Sequence, residues 1–244
     1  MNVLILGGNS DIGLAIAKEF IKKHDANIQL ASRDIDQLQI SASDLNLRNN
    51  VQCETYLFDA EDISSHSDFY NKLKIKPDVA VVTFGLLGED QEILQKDVKA
   101  SLKLLTVNFN GAVSILEIIA NDFEQRQSGT IIGISSVAGD RGRASNYIYG
   151  ASKAGFTAYL SGLRNRLFSH GVKVLTILPG FVKTKMTAHL QLPAPLLAEP
   201  EAVAKRVLKG FNGNKDILYV KPIWKWIMLI IKLLPEFLFK RLKL

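Results

Sequence analysis

The sequence is poor in cysteine and histidine. Cys53 is the only cysteine among 244 residues, so no disulfide can form within the chain, and a single thiol fits a reducing compartment. The four histidines, His24, His66, His170 and His189, are scattered and no two have the spacing of metal ligands. We therefore expect no metal site.

Targeting and low-complexity segments are also missing. The start of the chain, MNVLILGG, is apolar but lacks a basic region and a cleavage site, and it runs into a glycine turn as a first strand would. No repeat or linker is visible. With 47% hydrophobic and 22% charged residues, the composition is typical of one globular domain, which we expect in the cytoplasm.

Short apolar segments alternate with helical ones along most of the chain. The predicted strands are NVLILG, NIQLAS, VQCETYLF, DVAVVTFG, GTIIGISS, VKVLTILPG and DILYV. The predicted helices are DIGLAIAKEFIKKH, DIDQLQISASDLNL, VKASLKLLTVNFNGAVSILEIIANDFEQR and SKAGFTAYLSGLRNRLFSHG. This alternation predicts an α/β fold, a doubly wound parallel sheet of about seven strands with helices on both faces.

A glycine turn follows the first predicted strand in LILGGNSDIGLAIA. Gly7 can make a tight turn, Gly13 permits close helix–sheet packing, and Asn9, Ser10 and Asp11 can cap the following helix. Backbone N–H groups at that helix terminus would hold a pyrophosphate. Asp11 stands where such motifs usually have glycine, so its carboxylate must point away from the phosphates or cap the helix.

The end of the second strand, LASRD, bears on the type of dinucleotide. An acidic residue here would bind a ribose hydroxyl, whereas Ser32 and Arg33 suit the 2′-phosphate of NADP. The other interpretation makes Arg33 a solvated charge and Asp34 a helix cap. We favour NADP over NAD.

The segment YIYGASKAG places Tyr149 and Lys153 four residues apart, on one helix face and one turn from each other. The pair is either a solvated surface pair or a proton donor whose pKa a neighbouring ammonium lowers.

The motifs GGNSDIG, VNFNG, ISSVAG, YGASK and PGFVKT occur in an order and spacing that resembles the short-chain dehydrogenase/reductase family. The resemblance implies a Rossmann-type oxidoreductase in which Tyr149 is the general acid/base and Lys153 its partner. It also implies that Ser136 binds the substrate oxygen and that Asn108 anchors a proton relay.

The resemblance further implies cofactor contacts that run from the glycine turn to PGFVKT. These residues are Gly7, Asn9, Ser10, Asp11, Ile12, Gly13, Ser32, Arg33, Asp59, Ala60, Gly85, Tyr149, Lys153, Pro179, Gly180, Val182 and Thr184. The segment VVTFGLLG departs from the family, which usually has Asn-Ala-Gly where this chain has Thr83, Phe84 and Gly85. The departure concerns the floor of the cofactor site.

Four segments, AVVTFGLLGE, AGDRGRASNYIYGASKAG, PGFVKTKMTAHL and the C-terminal tail, together resemble the decaprenylphosphoryl-2-keto-ribose reductase branch of the family. This resemblance implies reduction of a keto-sugar carried on a polyprenyl phosphate. Two alternatives remain open. One is a general reductase of 3-oxoacyl, steroid-like or small ketones, and the other is a non-catalytic cofactor-binding scaffold or partner subunit. A homodimer or homotetramer is expected.

The composition changes after the predicted oxidoreductase domain, residues 1–221. The net charge of +6 is partly local, since the end of the chain carries Lys221, Lys225, Lys232, Lys240, Arg241 and Lys243. If residues 222–244 formed one helix, Lys225, Lys232, Glu236, Lys240 and Lys243 would share a narrow stripe and the rest of the surface would be apolar. We favour a peripheral membrane contact over a core or subunit-interface helix, and we expect no nucleic-acid binding.

Overall fold

The structure, a computed structural model, describes residues 1–49 and 51–242, and its centre is one parallel sheet. Its strands are β1 (Asn2–Leu6), β2 (Asn27–Ser32), β3 (Cys53–Leu57), β4 (Val79–Val82), β5 (Thr130–Ile134), β6 (Lys173–Leu178) and β7 (Ile217–Tyr219). The order across the seven-stranded sheet is β3-β2-β1-β4-β5-β6-β7. Because the chain winds outward from β1 in both directions, the predicted doubly wound α/β fold is confirmed.

Helices cover both faces of the sheet. They are α1 (Asp11–His24), α2 (Ile35–Asn49), α3 (His66–Lys72), α4 (Gln91–Leu94), α5 (Val98–Leu105), α6 (Gly111–Arg126), α7 (Tyr147–Leu167), α8 (Pro200–Asn212), α9 (Ile223–Leu233) and α10 (Glu236–Phe239). A π-helical turn, Thr106–Asn110, joins α5 to α6. The sequence patterns missed the short helices α3 and α4 and the longer α8, although Pro200 in the first turn of α8 is a helix-start signal.

Strand β1 shows how one sheet builds two cores. Val3 and Ile5 belong to the cluster under α1, α2 and α8, whereas Leu4 and Leu6 belong to the cluster under α3, α6 and α7. All four side chains are fully buried. Successive strand side chains point to opposite faces, so a continuous apolar run is what a doubly covered strand requires.

The helical run Val98–Arg126 is long and apolar enough to cross a membrane by length and composition alone. Here it lies on the sheet, and Ile115, Ile119 and Phe123 are fully buried in the second core cluster. The apolar character of this run is therefore explained by the core of the folded domain.

The C-terminal segment is not one continuous helix. Leu234 is extended, with ψ 125°, because the residue before Pro235 avoids helical geometry, and the chain turns there between α9 and α10. The charged stripe expected along a single helix over 222–244 therefore does not form. Lys243, one of its predicted members, lies outside the described residues.

The first part of the tail packs into the domain. Trp224 and Met228 on α9 are buried and form a small core cluster with Val137 and Leu178. Arg141 holds the end of α9, since its guanidinium donates to the Leu234 carbonyl at 2.7 Å. One face of α9 therefore belongs to the core, as the core-helix interpretation of the sequence predicted.

Candidate active site

The glycine turn between β1 and α1 requires glycine at its first position. Gly7 has φ +95°, and a Cβ there would lie 2.5 Å from the backbone nitrogen of Phe84. The Ser10 hydroxyl caps α1 by accepting a hydrogen bond from Gly13 N at 2.9 Å. The turn therefore lies beside a capped helix N-terminus, where N–H groups and the helix dipole suit a phosphate.

Asp11 is directed to the loop that follows β6. Its Oδ2 accepts a hydrogen bond from the backbone nitrogen of Lys185 at 2.8 Å. The carboxylate thus has a structural partner away from the glycine turn. The sequence analysis required this orientation if the turn is to bind phosphates. Of the predicted cofactor contacts, Asp11 and Gly13 do not line the two cavities at the carboxyl edge of the sheet.

The first cavity lies at the carboxyl ends of β1, β2 and β4. Its walls include the predicted cofactor residues Gly7, Asn9, Ser10, Ser32, Arg33, Asp59, Ala60 and Gly85. Asn9 Nδ2 donates to the Asp34 carbonyl at 2.8 Å and to the Ser32 hydroxyl at 3.3 Å. Asn9 Oδ1 is buried without a partner among the described protein atoms, so a bound ligand could donate to it.

The charges at the end of β2 divide between two tasks. Asp34 Oδ1 accepts from Gln37 N at 3.0 Å and thereby caps α2. Arg33 is exposed at the cavity wall, and no ion pair is found for it within residues 1–49 and 51–242. This leaves a guanidinium free at the place where the sequence predicted a 2′-phosphate.

A second cavity continues from the first. Its walls include the predicted residues Ile12, Gly85, Ser136, Tyr149, Lys153, Pro179, Gly180, Val182 and Thr184. The two cavities share Thr83, Phe84, Gly85, Leu86 and Met186, so they are halves of one groove. The groove brings the glycine turn and the Tyr–Lys pair to one ligand-sized site at the carboxyl edge of the sheet, where doubly wound folds bind ligands.

Thr83, the departure from the family pattern, ties β4 to the glycine turn. Its hydroxyl lies 3.0 Å from the carbonyl oxygens of both Leu6 and Gly7, and it accepts from the Ser10 hydroxyl at 3.1 Å. A threonine thus holds the floor of the groove against the start of α1.

Tyr149 and Lys153 lie in the first two turns of α7. Lys153 is 6% exposed, and its Nζ donates to the Ile134 carbonyl at 3.3 Å and lies 5.9 Å from the centre of the Tyr149 ring. Ser136, at the end of β5, is buried on the same cavity wall. The solvated-pair interpretation of Tyr149 and Lys153 is therefore wrong, because α7 packs this face against the sheet.

Asn108 is buried in the π-helical turn and its side chain is fully engaged. Oδ1 accepts from Leu86 N at 2.7 Å, while Nδ2 donates to the Leu86 carbonyl at 2.8 Å and to the Ser152 hydroxyl at 3.1 Å. These bonds fix the wall of the groove to α7. Both polar atoms of the amide thus have protein partners, and the side chain connects Leu86 to α7.

Ser135, the residue before Ser136, is hydrogen-bonded to α7. Its hydroxyl donates to the Lys153 carbonyl at 3.0 Å and lies 2.7 Å from the Thr157 hydroxyl. Both serines line the second cavity, but the Ser135 hydroxyl is bonded to α7.

The protein environment shifts both pKa values at the pair. Burial raises the pKa of Tyr149, and a hydrogen bond with Ser136 and the charge of Arg143 oppose the rise. Burial lowers the pKa of Lys153 from 10.5 to about 8. The sequence-based prediction that Lys153 lowers the phenol pKa is therefore wrong for the protein alone, because burial outweighs the opposing effects. The charge that opposes the rise is that of Arg143, a loop residue that gives no periodic signal in the sequence.

Metal binding finds no support in the part of the chain that the structure covers. Within residues 1–49 and 51–242, no group of three or more His, Cys, Asp or Glu side chains could hold an ion.

The chain is similar to known oxidoreductases. Residues 1–194 match the short chain dehydrogenase family. An uncharacterized oxidoreductase of Mycobacterium tuberculosis is 32% identical over 243 residues, which cover 98% of this chain and 96% of that protein. Carbonyl reductase family member 4 of Xenopus laevis is 26% identical over 216 residues, or 84% of this chain and 88% of that protein.

A solved structure has the same fold. A short-chain dehydrogenase from Sphingobium yanoikuyae in complex with NADPH superposes with a TM-score of 0.82 at 22% identity, and the match covers 96% of each chain. The family match and the mycobacterial relative both span most of the sequence. The chain therefore belongs to the short-chain dehydrogenase family and is an NAD(P)-dependent oxidoreductase.

Proposed function

We propose that the protein is an NADP-dependent carbonyl reductase in which Ser136, Tyr149 and Lys153 are the catalytic residues and Asn108 is a positioning residue. The observation that carries the proposal is that Ser136, Tyr149 and Lys153 line one groove with the glycine turn. NADPH, when bound, supplies the hydride that adds to the carbonyl carbon. A carbonyl reduction then still needs a proton at oxygen and a stabiliser of the developing negative charge.

In this proposal Tyr149 donates the proton to the carbonyl oxygen, and the Ser136 hydroxyl hydrogen-bonds the same oxygen as its charge develops. Lys153, whose pKa is about 8, is still mostly charged at neutral pH and stabilises the phenolate that remains. Asn108 keeps Leu86 and α7 in place, and any part in proton transfer falls to groups other than its engaged amide.

The groove fits the cofactor at three points. The start of α1 offers N–H groups to a pyrophosphate. The unpartnered Asn9 Oδ1 can accept from an adenosine group, and Arg33 can pair with a 2′-phosphate. The remaining predicted contacts, from Pro179 to Thr184, would hold the nicotinamide half. The NADPH in the Sphingobium enzyme supports the same preference.

For the substrate we propose a keto-sugar carried on a polyprenyl phosphate. A Cβ at Gly180 would lie 2.0 Å from the Trp224 ring, so α9 packs directly on the wall of the groove. The opposite face of α9 exposes the apolar side chains of Ile223, Trp226, Leu229, Ile230 and Leu233. A lipid carrier that enters from an anionic membrane surface would meet this face next to the site.

Charge supports the same placement of the tail. Lys225, Lys232, Lys240 and Arg241 are exposed there, whereas Glu236 is paired with Arg141 at 2.7 Å. We therefore propose a cytoplasmic protein that lies on the membrane surface through residues 222–244, and a homodimer or homotetramer as its assembly. Vesicle flotation and light scattering measure these two properties.

A general ketone reductase is the second candidate. The similarity to carbonyl reductase family member 4 of Xenopus laevis favours it, since that name specifies a carbonyl substrate and no sugar or lipid. Acyl, steroid-like and small ketones are the substrates to compare.

The deciding experiment follows NADPH oxidation with polyprenyl-phosphate keto-sugars in vesicles, and with acyl and small ketones in solution. We expect the lipid-linked substrate to give the highest kcat/KM. Tyr149→Phe should lower turnover at least about a hundredfold, the scale of a lost general acid, and leave NADPH affinity unchanged. Near-normal turnover in this variant would remove Tyr149 from the mechanism, and failure with every carbonyl would refute the reductase.

A further inference from the structure

A further cavity shares Tyr149 with the groove. It lies between the segment that follows β4 and the start of α7, and it has a volume of about 500 Å³ including its open mouth. Gln91, Asn146 and Leu190 line it together with Tyr149. Because Tyr149 also lines the groove, a ketone whose oxygen meets the phenol can place its remaining atoms in this cavity.

Gln91 brings a buried donor to this cavity. Gln91 is 8% exposed, and its Oε1 accepts a hydrogen bond from the backbone nitrogen of Ile148 at 3.1 Å. Because this backbone nitrogen can only donate, the amide atom next to it is the oxygen. Nε2 has no partner among the described protein atoms. A buried donor without a partner is unfavourable, so a bound oxygen that accepts from it is preferred to a carbon.

Asn146 adds an acceptor on the same cavity. Its Oδ1 is buried and has no partner among the described atoms, and its side chain makes no cap bond to α7. A hydroxyl group both accepts and donates, which are the two capacities that Gln91 Nε2 and Asn146 Oδ1 require of a partner. A methyl group in the same place satisfies neither.

The charged groups around the cavity favour a neutral ligand. Glu89 and Asp90 lie on its wall, and a carboxylate or phosphate placed there would be repelled. The remaining titratable side chains that line the cavity are those of Tyr149 and His189.

We propose that Gln91 and Asn146 form a subsite for a neutral hydroxyl group next to the reacting carbonyl, so that the enzyme selects hydroxylated ketones. This inference rests on the proposed reductase function and defines the polar part of its substrate. The subsite would accept the hydroxyl group of a sugar ring as well as that of any other hydroxylated ketone.

The test compares two ketones of equal size, hydroxycyclohexanone and methylcyclohexanone, each substituted next to the carbonyl. In the wild type, kcat/KM should favour the hydroxylated ketone about tenfold or more. Gln91→Met should bring this ratio close to one, while the NADPH dissociation constant and the melting temperature report on folding. Gln95→Met, an exposed glutamine at the end of α4, is the matched control and should keep the wild-type ratio.

Asn146→Ala provides the second variant and decides the matter if Gln91→Met does not fold. It removes the acceptor without removing a helix cap, and should also lower the ratio. A wild-type ratio near one, or an equal loss of kcat/KM for both ketones in a folded variant, would overturn the subsite and leave the reductase intact. Absence of NADPH oxidation with every ketone would instead refute the proposed function and the subsite with it.

Discussion

The buried ammonium of Lys153 lowers the stability of the folded protein. The ammonium is buried in α7 against β5, with the Ile134 carbonyl as its acceptor, and burial lowers its pKa from 10.5 to about 8. A shift of this size corresponds to roughly 3 kcal/mol of unfavourable burial of the charged form. In the proposed reductase, this unfavourable burial is offset by the role of the charge next to Tyr149.

We predict that Lys153→Met raises the free energy of unfolding at pH 7 by up to about 3 kcal/mol and abolishes most turnover. Between pH 8 and 10.5 the unfolded wild type binds more protons at Lys153 than the folded protein, so wild-type stability rises with pH in this window. The advantage of the variant should be largest below pH 8 and fade toward 10.5. Denaturant unfolding across this range measures it, and a destabilised variant at pH 7 would contradict the burial argument.

Arg33 is the residue that we expect to set cofactor preference. Arg33→Ala should weaken NADPH binding by about 1.5–3 kcal/mol, the size of a charge-assisted contact, and should change NADH binding little. Titration of both cofactors by fluorescence measures the difference. Arg48→Ala, an exposed arginine at the other end of α2, is the control. A wild type that prefers NADH would disprove the assignment of Arg33 to the 2′-phosphate.

At the scale of elements, α1 is tied to the loop after β6 by Asp11. This loop carries Met186 and Thr187 into the wall of the groove, so its position affects the site. Asp11→Ala should lower kcat/KM about 3–10-fold by freeing the loop, because one hydrogen bond is lost. Hydrogen exchange over Lys183–Leu190 should increase in the same variant.

Asp11→Asn separates the hydrogen bond from the charge. Asparagine retains an oxygen that can accept from Lys185 N, so this variant should keep the exchange protection of the loop. If both variants lose the exchange protection of the loop equally, the charge of Asp11, and not its hydrogen bond to Lys185, holds the loop in place.

For the whole molecule, the two faces of α9 predict opposite effects. Trp226, Ile230 and Leu233 are 62%, 64% and 72% exposed. Changing all three to serine should remove binding to anionic vesicles and leave the melting temperature unchanged. Salt should weaken wild-type binding to the vesicles only in part, because the apolar contribution to binding is not screened.

Met228→Ala, on the buried face of α9, should instead lower the free energy of unfolding by about 2–5 kcal/mol.

Phe168→Ser is the control for the membrane prediction. Phe168 is 83% exposed, but it follows α7 near the start of β6, at the amino edge of the sheet and away from the tail. It should bind vesicles like the wild type. If the triple variant melts early or aggregates, its three side chains belong to a subunit interface, and the membrane placement is wrong.

Local patterns in the sequence were enough to predict most of the architecture. Apolar runs marked the inner strands such as β1 and β4, because a strand covered on both faces must be apolar throughout. Tyr149 and Lys153 could be paired from their spacing alone, since helix geometry puts residues four apart on one face. The glycine turn was recognisable because Gly7 adopts a backbone conformation that other residues avoid.

Contacts between distant parts of the chain followed no such pattern. Asp11 and Lys185 are 174 residues apart, and their bond exists because α1 and the end of β6 meet at one edge of the sheet. The same packing pairs Gln91 with Ile148 and lays Trp224 over Gly180. The periodicity of the tail gave no way to choose between a core helix and a surface helix. Only the folded domain, which buries one face of α9 and exposes the other, shows that it is both.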